Sequence, residues 1–88
     1  MKFRFSGTLM RFVEFEREQQ FAASTVAGAL DALIAKHPQL RSVLFSASGT
    51  LRQTHRLFLN GEQIMADELE REITDTDVVE ILTAIAGG

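Results

Sequence analysis

Helical spacing is clearest in one stretch of this 88-residue chain, and that stretch constrains the fold more than any other. Val26, Leu30, Leu33, Ile34 and His37 fall on one face at a period near 3.6, while Asp31 and Lys36 fall elsewhere. Ser24 or Thr25 supplies the hydroxyl that accepts from an unpaired first-turn N–H. Pro38 disfavours helical geometry at the residue before it, so the helix ends at His37. Gly28 inside it costs about 1 kcal/mol against Ala, and close packing on a sheet is the expected reason for it. A short helix with one apolar face is stable only when that face is covered.

The rest of the chain supplies strands to cover it. Lys2 to Ser6 alternates polar and apolar, with Phe3 and Phe5 facing inward, and Gly7 breaks the run. Leu9 and Phe12 tuck a loop back onto the core, and a second strand ends near Phe21. Leu40, Val43, Leu44 and Phe45 suit a short helical turn, and Ser46 to Thr50 is a loop by composition. Arg56 to Leu59 reads as a strand, Asn60-Gly61 as a tight hairpin turn, and Glu62 to Ile64 as the return. Leu69 and Ile73 punctuate an acidic connection. Asp75-Thr76-Asp77 then turns the chain into a last strand, Val78 to about Thr83. In that strand Val79 and Ile81 share one face, and Val78, Glu80 and Leu82 the other.

This order predicts an α+β fold with one main helix packed on a mixed sheet of four to five strands. If the first and last strands pair in the middle, right-handed crossovers favour a β-grasp arrangement. The chain is read as one domain, 1–88, with a flexible tail from about Thr83.

Composition narrows the function classes. Nine Lys and Arg against 12 Asp and Glu, with no basic run, argue against a nucleic-acid partner. The absence of cysteine excludes a thiolate metal site, a disulfide framework and a thiol nucleophile. No apolar run approaches the ~20 residues of a membrane span, and MKFRFSG is no signal peptide, so the cytoplasm is the expected compartment. No Ser/His/Asp arrangement or phosphate-cradling glycine loop is present, and no bound cofactor is expected. His37 reads as a core-edge or capping residue and His55 as a surface residue. The acidic sets Glu14, Glu16, Glu18 and Asp67 to Glu72 read as solvated faces, and Asp75 and Asp77 as turn residues. The phenylalanines read as core.

The chain stops on ILTAIAGG, and two terminal glycines are a poor structural ending because they cost more backbone entropy to order than any other pair. Arg56 to Glu62, Asp77 to Leu82 and Ala84 to Gly88 together resemble the ubiquitin-like sulfur carriers of the ThiS/MoaD family. The likeness extends over nearly the whole chain, and its most specific part is the combination of the Asn-Gly hairpin, the acidic turn and the terminal Gly-Gly. Within the family, Leu51 to Glu62 with His55-Arg56 looks most like carriers serving cysteine or thio-metabolite synthesis. Two positions depart from the pattern: Thr76, where the family often has Gly, and Thr83, where it often has Pro.

The resemblance implies a carrier and not an enzyme. Gly88 would bear the reactive carboxylate, and Gly87 would let a narrow channel close around the backbone. A ubiquitin-activating-type adenylyltransferase would use ATP to adenylate that carboxylate, and a sulfur donor protein would convert it to a thiocarboxylate. A sulfur-accepting synthase would then take the sulfur. From Thr83 to Gly88 an extended tail spans about 20 Å, enough to enter a partner's cleft. Phe58 lies opposite Leu57 and Leu59, and Leu82 opposite Val79 and Ile81, so both point away from the helix-covered side and Ile85 follows in the tail. These three form the expected partner-binding patch. The same activation would serve a protein modifier joined to lysine, and a tail held in a larger subunit would make the chain the small subunit of molybdopterin synthase. A plain interaction module without C-terminal chemistry is the remaining reading.

Overall fold

The computed structural model describes residues 1–83. Its elements run β1 (Lys2–Phe5), a 3-10 segment (Gly7–Val13), β2 (Glu18–Gln20), α1 (Val26–Lys36), α2 (Leu40–Leu44), β3 (His55–Leu59), β4 (Glu62–Ile64), a 3-10 turn (Ala66–Glu68) and β5 (Val78–Thr83). The five strands form one sheet in the order β2-β1-β5-β3-β4. The first and last strands pair in parallel at its centre, and every other pairing is antiparallel. This is the β-grasp arrangement expected from the element order. Thr83, read from sequence as the first tail residue, is the last residue of β5, opposite His55. The rest of the expected tail lies outside the described residues.

Strand alternation builds the inner face in rows. Phe5, Ile81, Leu57 and Ile64 are successive partners across β1, β5, β3 and β4, and Phe3, Val79 and Leu59 form the next row. All seven are buried. Burying each such side chain stabilises by about 1.5–3 kcal/mol, so these rows and α1 hold the two sides of the fold together. The helix contributes Val26, Ala29, Leu30, Leu33 and Ile34 to the same core. Phe3 meets Phe21 edge to face at 5.6 Å between ring centres.

Local chemistry sets the ends of α1. Thr25 is the cap, its hydroxyl accepting from Gly28 N–H at 3.0 Å. The two first-turn N–H groups before it donate into the acidic connection, Val26 to the Arg71 carbonyl and Ala27 to that of Leu69. That connection therefore clasps the helix start as well as crossing the surface. Gly28 does not approach the sheet as expected. A Cβ there would meet the capping hydroxyl of Thr25 at 3.3 Å, so the cap itself is what favours the small residue.

The polar stretch that runs into β2 hides a buried group. Gln19 pairs with Phe3 on the inner face and is 4% exposed. Its amide Nε2 donates to the carbonyls of Val13 and Glu16, each at 3.2 Å. His37, at the end of α1, donates from Nε2 to Gln19 Oε1 at 2.9 Å, the direction fixed because the Gln19 nitrogen is already committed to two carbonyls. His37 is thus both a helix cap position and a buried partner. The expectation that the phenylalanines are core holds for Phe3 and Phe5 but fails for Phe15, which is 73% exposed. Its backbone sits at φ 61°, a left-handed conformation that turns the side chain off the core.

Candidate functional site

Because α1 covers one side of the sheet, the other side is open, and β5 runs through its middle. Val78, Glu80 and Leu82 project there, with Lys2 and Arg4 of β1 on one flank and Arg56 and Phe58 of β3 on the other. Glu80 is the partner of both Arg4 and Phe58, and Leu82 is the partner of Arg56. Phe58 and Leu82 are therefore diagonal neighbours on one face, within reach of each other's side chains. Both are half-buried. The arginine, glutamate and glutamine side chains beside them make this a mixed surface rather than a bare apolar one. Ile85, Gly87 and Gly88 lie outside the described residues.

The outer part of this face is charged and internally paired. Glu18 accepts from Arg4 Nε at 3.0 Å and from Lys2 Nζ at 3.3 Å. The Arg4 bond first, and the Lys2 bond next, hold the Glu18 carboxyl below the usual glutamate range. These exposed pairs orient side chains more than they stabilise the fold.

The two ends of β5 differ in kind. At its start, Asp77 accepts from Asn60 Nδ2 at 3.0 Å and from Thr74 N–H at 2.7 Å. Asn60 Oδ1 accepts from Val78 N–H at 2.9 Å, so the β3–β4 turn and the turn into β5 are one clasped unit. Asn60 and Gly61 both have positive φ, the conformation of a tight hairpin turn. Thr76 does not have positive φ, so this turn accepts a residue with a Cβ there. At the other end Thr83 is exposed beside His55. Burial pushes the His55 imidazole below its ordinary value, favouring the neutral ring. A surface groove of about 510 Å³ opens next to it, with Arg52, His55, Arg56 and Met65 in its wall and no acidic side chain among the described residues that line it.

Sequence reasoning missed three features here. The reach of Asn60 to Asp77 crosses 17 residues and depends on the β3–β5 pairing. Met65, 56% exposed beside the groove, and Phe15 were not singled out as surface residues. The positive φ at Glu14 and Phe15 has no glycine or asparagine to announce it.

Among the described residues no group of three or more His, Cys, Asp or Glu side chains stands ready to hold a metal ion. No helix among them is long and apolar enough to cross a membrane. The chemistry this surface offers is recognition: a mixed apolar and charged sheet face whose central strand leads directly to the last residues of the chain.

A helix laid across a mixed five-stranded sheet, with the first and last strands side by side, defines a ubiquitin-like β-grasp protein. The model of the ThiS family matches residues 3–88, and the chain belongs to that family. The structure is similar to that of SAMP1 from Haloferax volcanii, at 26% identity and a TM-score of 0.85, covering 100% of this chain and 98% of that one. It shares its fold with CysO in the BexX/CysO complex of Amycolatopsis orientalis, at 24% identity, TM-score 0.84, with 99% and 98% covered. It shares it also with CysO of Mycobacterium tuberculosis, at 21% identity, TM-score 0.82, with 96% and 98% covered. No curated protein matches the sequence.

Proposed function

We propose that the chain is a sulfur carrier whose Gly88 carboxylate is the working group. A free carboxylate is a poor electrophile. Reaction with ATP on an activating enzyme would form the acyl-adenylate and release pyrophosphate. Attack of hydrosulfide on the acyl carbon would then expel AMP and leave a thiocarboxylate. A biosynthetic acceptor would receive that sulfur. Gly87 and Gly88 leave the carbonyl open to attack because neither carries a Cβ. The open face around Phe58 and Leu82 would dock the activating enzyme and then the acceptor, and Ile85 is proposed as a further contact.

The observation that carries this proposal is the family match through Gly88 on a fold whose central strand leads straight into those last residues. The likeness to SAMP1, described as a small archaeal modifier protein, favours a second reading. There the same activated glycine is joined to a lysine of a target protein. The occurrence of CysO in a complex with BexX supports a partner protein in either case.

ATP–pyrophosphate exchange with the activating enzyme of the source organism tests the shared first step. Exchange should require the intact chain and vanish when Gly87 and Gly88 are deleted. Exchange that persists after the deletion would show that the carboxylate of Gly88 is not the group activated. The later products separate the two readings: a sulfur-bearing small molecule, or an isopeptide conjugate.

A further inference from the structure

Phe15 is the most exposed large apolar side chain among the described residues, at 73%. It is also held there at a conformational cost. Glu14 and Phe15 are consecutive non-glycine residues at φ 58° and 61°. Left-handed backbone is unfavourable for such residues and persists only where the surroundings enforce it.

The surroundings here do so from inside the protein. The N–H groups of Glu14 and Phe15 both donate to the Met10 carbonyl, and Glu16 N–H donates to that of Val13. The buried Gln19 amide grips the Val13 and Glu16 carbonyls on either side of the strained pair, and His37 fixes the other atom of that amide. A turn locked by a buried network, and presenting an aromatic ring to water, is preorganised in the way binding anchors are.

Its position says what it meets. β1 and β5 are parallel, with Phe5 opposite Ile81, so the segment leaving β1 lies at the end of the sheet where β5 reaches Thr83. The 3-10 segment Gly7–Val13 also packs against β5. Thr83 to Gly88 is six residues, and fully extended they span about 20 Å. A protein that takes Gly88 into its active site must therefore come within that distance of Thr83, which brings its rim over this end of the sheet.

We infer that Phe15 is a docking anchor for the enzyme that activates the C-terminus, seated in an apolar socket whose rim meets Glu14 and Glu16. The inference rests on the carrier function proposed above. The anchor is separate from the open face of Phe58 and Leu82, because it stands on the β1–β2 connection and not on a strand.

The test measures ATP–pyrophosphate exchange by the purified activating enzyme, titrating wild type, Phe15→Asn and Phe15→Leu, with thermal melting of each. Asn tolerates left-handed backbone, so F15N should melt no lower than wild type. Its KM should rise about tenfold, the loss of a modest interface anchor, with kcat unchanged. F15L keeps an apolar side chain and should recover most of the KM. Wild-type exchange with an unaltered KM for F15N overturns the anchor alone. No exchange with the wild type overturns the carrier function, and the anchor with it.

Discussion

Asn60 and Asp77 lie 17 positions apart in sequence, yet the Asn60 amide holds the Asp77 carboxylate at 3.0 Å and its carbonyl oxygen takes the Val78 N–H at 2.9 Å. One side chain thus closes a hairpin turn and sets the start of the central strand. Asn also suits φ 52°, where an alanine would be strained.

Asn60→Ala should lower stability by about 1–2 kcal/mol from the left-handed backbone alone, with lost bonding in addition. Asn60→Gly keeps the backbone freedom and loses only the bonding, so it should cost less. Urea unfolding of both variants checks the order. Equal stability of the two would contradict the backbone contribution.

The same clasp predicts an acid limb. The Asn60 amide, and then the Thr74 N–H, hold the Asp77 carboxyl below its ordinary value of 3.8. Arg4 and Lys2 do the same for Glu18 below 4.5. A carboxyl depressed in the folded state binds fewer protons there than in the unfolded chain. Its contribution is full above the unfolded value and is lost as pH falls through the folded one. Stability should therefore drop as pH falls below about 4.5, and Asp77→Asn should flatten part of that drop. An unchanged acid slope in the variant counts against the clasp.

Gln19→Leu removes the amide that satisfies two carbonyls and the His37 N–H. Leaving a buried donor unpaired costs about 1–3 kcal/mol, and this variant should unfold earlier in urea by that amount. A change under about 0.5 kcal/mol, the range of ordinary surface substitutions, would mean that water replaces the amide freely.

How much of this could be read before the structure depends on the range of the interaction. The helix over Val26–Lys36, the Asn60-Gly61 turn and the strand Val78–Thr83 are written in local spacing and local turn chemistry, and they stand where the sequence puts them. Connection rules favour the β-grasp order only once the first and last strands are taken to pair, and that pairing is a contact between the two ends of the chain. Gln19 is different: it sits in a run of polar residues that reads as solvated, and only its partner on an element 18 positions away makes it a buried group. Gly7–Val13 read as a loop because a 3-10 segment carries no long helical period. Phe15 read as core because an aromatic residue ordinarily is, and its backbone conformation is imposed by that same hidden amide. Of the candidate site, Phe58 and Leu82 were placed on their face by alternation alone. Which charged groups surround them depended on strand order and register.

Leu82→Asp puts a carboxylate on the open face beside Glu80, where Leu82 is half-buried and opposite Arg56. The fold should remain, because the inner face keeps Val79 and Ile81. Activation by the partner enzyme should weaken, seen as a raised KM in pyrophosphate exchange with a native circular dichroism spectrum. Exchange at the normal rate, or an unfolded variant, would remove Leu82 from the docking surface.

Intact-mass spectrometry reaches the central claim most directly. The full chain is incubated with ATP, its activating enzyme and sulfide, and the protein is weighed before and after. The account predicts a mass gain equal to exchanging one oxygen for sulfur, confined to the C-terminal fragment bearing Gly88 and absent without ATP. An unchanged mass, in a reaction where the enzyme demonstrably forms the adenylate of this chain, would contradict it.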